Sequence, residues 1–378
     1  MKLIYSTFFV ISFFSSTLFS QNVVVVLIDG ARYTETFGDP YRTYIPKMNI
    51  IAQEGTYCDA MYNNYYTYTS KAVPALWTGE WSGSDYVNFN GNDTQATKEP
   101  SIFEYFRKQK SIPAEKCYHS LAYVSSLWLQ SFHTEYGQDY WPTTISSGST
   151  DSDVLTNTLT IMDDHHPQLL WVYLSDVDHQ GHTGVWSNYV TAIETADDIV
   201  NSIWEKIQTD NFYKNNTTLL VTNDHGRHTT DFSGHGDGCD GCRHIMMLAV
   251  GPDIKENYVS TDLHETADFA TTIAEILDVN PEYSTGELMS DIFKSNTVKD
   301  NANTSKLKVI TNQISFNLDE SSHIKLEIFN IQGKLINSVI NKDLSSGNHI
   351  VNFSNLPKGF YILKMKNNDM VETLKFLE

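Results

Sequence analysis

The 378-residue chain predicts an α/β domain on a mostly parallel sheet, followed by a small C-terminal β-sandwich. Three observations carry this expectation. Apolar runs rich in β-branched residues, such as VVVVLI at 23–28, mark strands buried on both faces of a parallel sheet. A long amphipathic helical stretch lies between two such runs. Past residue 306 the pattern changes to short alternating segments separated by turn residues.

The first twenty residues, MKLIYSTFFVISFFSSTLFS, carry one Lys, an apolar run and then small residues. They read as a secretory signal peptide cleaved after Ser20. The run is shorter than the ~20 apolar residues of a bilayer span and is broken by Ser and Thr. No transmembrane segment is expected once the signal is removed.

Residues 21–293 form the expected catalytic domain. After VVVVLI its strands are LLWVYL (169–174), TLLVT (218–222) and IMMLAV (245–250). Between the second and third, Tyr189, Ile193, Ala196, Val200, Ile203 and Ile207 recur at helical spacing, one apolar face. A second helix, ETADFATTIAEIL, follows the last strand. The polar stretch 294–306 reads as a linker, and 307–378 as five to seven short strands.

An acidic balance, with formal net charge −20, excludes the basic footprint of a nucleic-acid binder. It leaves room for an anionic substrate, because bound cations invert a local field. Four cysteines in an exported chain allow two disulfides in three connectivities. Cys239 and Cys242, a C-x-x-C, read as a local staple; the zinc reading lacks a second pair. Whether Cys58 pairs with Cys117 is not legible.

The chemistry lies at the strand ends. VVVVLI runs into Asp29, LLWVYL into SDVDHQGHTG with Asp178 and His182, and TLLVT into Asp224 and His225. His235 follows ten residues later, with His228 and His244 as alternatives; Gly on both sides of His235 favours it. Ligands sit outside the carboxyl ends of strands in such sheets. Imidazole and carboxylate together suit Zn2+. Three Asp and three His exceed one tetrahedral ion but suit two, and two ions ~3.5–4 Å apart clamp an in-line displacement.

Asp29 after a strand, a T-x9-G segment (Thr69 to Gly79), D-x3-H (Asp178, His182) and D-H-G with a later His together resemble the alkaline phosphatase superfamily. The likeness is greater to its type I phosphodiesterase/nucleotide pyrophosphatase branch and covers roughly residues 22–280. It implies an α/β sandwich, two divalent ions read as Zn2+, and a covalent phospho-enzyme. One ion would take Asp29, Thr69, Asp224 and His225, the other Asp178, His182 and His235. Thr69, ten residues before Gly79, would be the nucleophile; without the resemblance it reads equally as a helix cap. Relatives have Pro and Asn after the nucleophile, where this chain has Ser70, Lys71 and Ala72. A phosphate-orienting Asn would be Asn90, or Asn88.

Some secreted monoesterases of the superfamily carry a Lys-x-Arg pair where this chain has no Lys or Arg from Tyr118 through Gln138. A small phosphodiester or pyrophosphate substrate is therefore expected. The alternatives are a phosphomonoesterase, a sulfatase, or a non-catalytic binding protein. Formylglycine sulfatases need C/S-x-P-x-R, which TSKAVP lacks. In the tail, IKLEIFNIQGKLI, LSSGNHIVNFSNLPKGFYILKM and the terminal KFLE resemble the C-terminal sorting domain of type IX secretion. That implies the type IX machinery as partner and a secreted or cell-surface protein.

Overall fold

Every residue of Asn22–Ile28 (β1) is buried, and its side chains alternate between two apolar cores. Val24, Val26 and Ile28 enter one core, and Val23, Val25 and Leu27 enter the other. A strand with two apolar faces must be covered on both, which dictates three layers. The computed structural model describes residues 22–122, 129–294 and 307–377, except 311–312, 319, 331–333, 355, 358–359 and 368–369. The expected signal peptide, and the expected linker apart from Lys294, lie outside the described residues.

The chain continues through α1 (Pro46–Ile51), β2 (Thr56–Cys58), β3 (Met61–Tyr62), α2 (Thr69–Thr78), and a hairpin of β4 (Ser84–Phe89) and β5 (Asn92–Thr97). Next come α3 (Ile102–Lys110), β6 (Cys117–Leu121), β7 (Thr143–Ser146), α4 (Asp151–Asp164) and β8 (Leu169–Leu174). Helices α5 (Asp176–His182) and α6 (Trp186–Thr209) lead to β9 (Thr217–Thr222). The unit closes with α7 (Asp240–Arg243), β10 (His244–Ile245), β11 (Met247–Val250), β12 (Tyr258–Ser260), β13 (His264–Glu265) and α8 (Asp268–Ile276).

The main sheet has the order β12-β2-β11-β9-β1-β8-β6-β7. β1 lies parallel between β8 and β9, so their carboxyl ends share one rim. Residues of α1, α4 and α6 pack into one core, and residues of α2, α3 and α8 into the other. The run IMMLAV departs from expectation. It splits at Met246, with β10 pairing β3 in a small sheet and β11 entering the main sheet antiparallel to β9 and β2. A continuous apolar run fits either direction when both faces are covered, so its sequence carries no direction.

Asn223, directly after β9, ties the rim together. Its Nδ2 donates to Ala31 O at 2.9 Å and His225 O at 2.8 Å, and its Oδ1 accepts from Met246 N at 2.6 Å. One buried amide thus joins the ends of β1 and β9 to the start of β11.

The expected Cys239–Cys242 staple is not formed: the sulfurs lie 3.7 Å apart, and all four cysteines are free. A disulfide would hold them at ~2.0 Å. Cys58 and Cys117 are each buried in an apolar core.

The described residues from Leu307 onward form a second compact unit. Its described strands are β14 (Lys308–Ile310), β15 (Gln313–Leu318), β16 (Ser322–Asn330), β17 (Leu335–Leu344), β18 (Gly347–Asn352), β19 (Phe360–Asn367) and β20 (Met370–Leu377). They make antiparallel sheets ordered β14-β15-β18 and β17-β16-β19-β20, sharing a core of Ile314, Phe316, Leu326, Ile328 and Leu363 among others. No helix among the described residues is long and apolar enough to cross a membrane.

Replacing Asn223 with Ala strands a buried N–H and two carbonyls. The expected loss is about 2–3 kcal/mol, read as a thermal midpoint several degrees lower. An unchanged midpoint would show that the amide is not what joins the rim.

Candidate active site

The rim of β9, β1 and β8 places Asp224, Asp29 and Asp178 together, one from each strand end. Asp29 and Asp224 are fully enclosed, and Asp178 nearly so. Gly30 permits the approach. Its φ is +70°, and a Cβ there would come within 2.8 Å of Asp178 Oδ1. Its amide donates to Asp224 Oδ1 at 3.3 Å. Tyr173, the inward residue near the end of β8, donates its hydroxyl to Asp29 Oδ2.

Crowding of these carboxylates shows in their acidities. Burial first, then Asp224 and Asp178, holds Asp29 well above the carboxylate range. Burial, then Asp178, pushes Asp224 up to about 7. Arg227, wholly buried, meets Asp178 through both its carboxylate Oδ1 and its backbone carbonyl. Gly181 makes room, since a Cβ there would lie 2.2 Å from the Arg227 Cζ.

The imidazoles complete the group. His225 Nε2 is 3.4 Å from Asp29 Oδ1 and 3.3 Å from Asp224 Oδ2. His182 Nε2 lies 3.3 Å from Asp178 Oδ2, and His235 Nε2 lies 3.5 Å from Asp178 Oδ1. His225 and His235 stack with ring centroids 4.0 Å apart. Burial, then His225, pushes His235 down to about 4. His225 Nδ1 lies 3.0 Å from Gly226 O, and His235 Nδ1 lies 3.0 Å from Thr67 O. A carbonyl only accepts, so each Nδ1 carries the proton and each Nε2 presents a lone pair to the cluster.

Thr69 opens α2, with Tyr68 at the cap position expected for Thr69 itself. Its Oγ1 is 3.1 Å from His225 Nε2 and 3.5 Å from Asp29 Oδ1. Two features deliver it. Asn63, buried, donates to Tyr66 O at 2.7 Å and Asp224 O at 2.8 Å, folding the 63–68 segment onto the rim. Pro74 removes the amide that would bond Ser70 O, and the Ser84 hydroxyl donates to that carbonyl at 3.4 Å instead.

All seven expected cluster residues therefore meet. His244 lies elsewhere, stacked between Tyr33 and Tyr62, and His228 faces Asp237. Asn90 is at the exposed tip of the β4–β5 hairpin with φ +54°, and Gly91 follows at +83°. An Asn-Gly pair is what a two-residue hairpin turn requires, and that accounts for the residue type. Asn88 bonds Asp93 across the same hairpin. Four participants were missed: Asn63, Tyr173, Asn223 and Arg227. Arg227 had a signal, as a cation inside the acidic NDHGRH segment.

Residues 21–279 match the family described as Sulfatase, and residues 303–377 match the secretion system C-terminal sorting domain. No curated protein sequence matches the chain. Among solved structures, murine ectonucleotide pyrophosphatase/phosphodiesterase 5, an inactive form in complex with AMP, aligns at 13% identity and TM-score 0.55 over 72% of this chain and all of that one. The human counterpart gives 13% identity and TM-score 0.56 over 73% and 100%. A Bacteroides thetaiotaomicron protein, BT33494S-sulf, from work on the metabolism of multiple glycosaminoglycans, gives 12% and 0.52 over 94% and 89%. At such identities these likenesses speak to fold alone. The family match spans more than half of the chain: it belongs to the sulfatase family of the alkaline phosphatase superfamily, joined to a type IX sorting domain.

Proposed function

We propose that the chain is an exported two-metal hydrolase that cleaves phosphodiester or pyrophosphate bonds, with Thr69 as nucleophile. Superfamily members are hydrolases that use divalent metals, which sets the class. The observation that carries the finer reading is the Thr69 hydroxyl at 3.1 Å from His225 Nε2, on the first turn of a helix, within the acidic cluster.

The residues fit a pair of cations. Asp224 Oδ2 is buried without a hydrogen-bond partner. His182 Nε2 lies 3.1 Å from His235 Nε2, whose lone pair faces it, a spacing that a proton or a shared cation would bridge. Asp29, Thr69, Asp224 and His225 would hold one ion, and Asp178, His182 and His235 the other; the donors suit Zn2+. When bound, the pair supplies positive charge for the oxygens that gain charge and makes the Thr69 hydroxyl more acidic.

The chain's own residues do the rest. Thr69 Oγ bonds to phosphorus as its proton passes to solvent, and the leaving oxygen departs with the electron pair of the broken P–O bond. Water then attacks the phosphothreonine, restoring the hydroxyl and releasing the phosphoryl product. Lys71 N already bonds Tyr68 O at 3.0 Å, so the earlier amides of α2, those of Thr69 and Ser70, are the ones placed to favour an anion. Tyr65, Tyr66 and Tyr68 are exposed beside Thr69, and Trp81 packs edge-on to Tyr65 and Tyr66, a platform suited to a ring-bearing leaving group.

Charge supports a diester over a monoester. Arg227 is engaged by Asp178 and Ser233 O, and Arg32 by Glu35 and the carbonyls of His228 and Thr229. Neither is left to meet the second charge of a monoester. A sulfate ester is the second reading, favoured by the family match. Against it stands Thr69 where formylglycine enzymes need Cys or Ser.

Purified protein with Zn2+ should turn over bis-p-nitrophenyl phosphate faster than p-nitrophenyl phosphate or p-nitrophenyl sulfate. Thr69→Ala should lower diester turnover by about three orders of magnitude or more. Sulfate preference would move the enzyme to the second reading, and monoester preference would overturn the charge argument. Chelation should abolish turnover and added Zn2+ restore it; activity that survives exhaustive chelation contradicts the metal reading. Trp81→Ala should raise KM for the aromatic diester about two- to tenfold with little change in kcat. An unaltered KM removes the platform from substrate binding.

A further inference from the structure

A second group of ligands lies on the same loop as His235 but apart from the rim carboxylates. His228, Asp237 and Cys242 each bring a ligand atom to within 4.8 Å of the others, and Cys239 joins through Cys242. The spacing, His228-x8-Asp237-x-Cys239-x2-Cys242, supplies the partners that the C-x-x-C lacks when read alone.

Three of the ligand pairs have tetrahedral spacing, while Cys239 stands outside the group whose atoms all lie within 4.8 Å of one another and is reached through Cys242. Two thiolates each ~2.3 Å from one Zn2+ stand about 3.8 Å apart, and Cys239 Sγ and Cys242 Sγ are 3.7 Å apart. An imidazole nitrogen and a carboxylate oxygen at ~2.0–2.1 Å stand about 3.4 Å apart, and His228 Nε2 and Asp237 Oδ2 are 3.5 Å apart. Asp237 Oδ1 is 3.3 Å from Cys242 Sγ. His228 Nε2 is buried and makes no hydrogen bond, so its lone pair or proton is left facing the carboxylate. The Thr229 hydroxyl donates to Cys239 Sγ at 3.5 Å, the polarity a thiolate accepts.

We infer that His228, Asp237, Cys239 and Cys242 form a structural Zn2+ site, separate from the catalytic cluster. Binding releases two thiol protons to solvent and sets two thiolates, one carboxylate and a neutral imidazole around the ion. Thiolate donors with tetrahedral spacing select zinc over harder cations. The ion joins the two ends of the 228–242 loop, whose middle carries His235. Within that loop His228 N donates to Gly234 O at 2.8 Å and Gly241 N donates to Thr229 Oγ1 at 3.1 Å. The site therefore positions a residue of the cluster without touching substrate.

The test uses Co2+ as probe, because the catalytic cluster contains no sulfur and Cys58 and Cys117 are enclosed in apolar core. Reduced full-length protein titrated with Co2+ should develop a thiolate-to-cobalt charge-transfer band in the near ultraviolet. Cys239→Ser or Cys242→Ser should change the band to that of a single thiolate, and His228→Gln should shift and weaken it. If a serine variant fails to fold, the spectrum of the unaltered chain still decides. Absence of the band while both thiols titrate as free overturns the site. So does a Cys239–Cys242 disulfide, with no metal at the pair, in protein recovered from the cell exterior. Neither result decides whether the Thr69 cluster is the catalytic site, which the diester assay with Thr69→Ala tests separately.

Discussion

Three carboxylates at one rim are the constraint on which the rest depends. β9, β1 and β8 are neighbours, so the acids that follow them cannot avoid one another. Two like charges 4 Å apart repel by about 4 kcal/mol at the effective dielectric of a protein, and burial adds to it. The surroundings answer that repulsion. Gly30 lets the backbone approach, Tyr173 donates to Asp29, and Arg227 meets Asp178. Yet Asp224 Oδ2 remains bare, and the imidazoles of His225 and His235 point lone pairs inward. A site left this way favours cations.

Thr69 reaches that site because distant features agree. α2 is covered by the core it shares with α3 and α8. Its start is held against the rim by Asn63, and its missing Pro74 amide is compensated by Ser84. The hydroxyl is thereby fixed by backbone it does not control. The loop carrying His235 is fastened the same way, through Arg32 at His228 and Thr229 and through the Gly241 amide at Thr229.

Much of this was legible in the sequence. Apolar runs gave away the central strands because burial on both faces leaves no room for polar residues. Helix α6 was visible in its spacing, and the observed bounds of Trp186–Thr209 extend the Tyr189–Ile207 stretch by three residues at its start and two at its end. The strand-end acids and histidines stood out as polar residues after apolar runs. Long-range partners did not. Asn63, Tyr173 and Asn223 act across more than a hundred residues of chain, and nothing near them in sequence signals that contact. The direction of β11 is equally silent. Asn90 did have a signal, Asn-Gly between alternating segments, and its hairpin place follows from it. His228 and Asp237 became visible as partners of the C-x-x-C only when the loop folded back on itself.

The central claim is that this rim exists to hold two cations. Anomalous scattering from crystals of the zinc-loaded protein, recorded at the zinc edge, addresses it directly. The account predicts two peaks within the cluster, ~3.5–4 Å apart, one beside Asp29, Thr69, Asp224 and His225 and one beside Asp178, His182 and His235. A single peak, or an empty cluster with the carboxylates satisfied by protein donors, would contradict it.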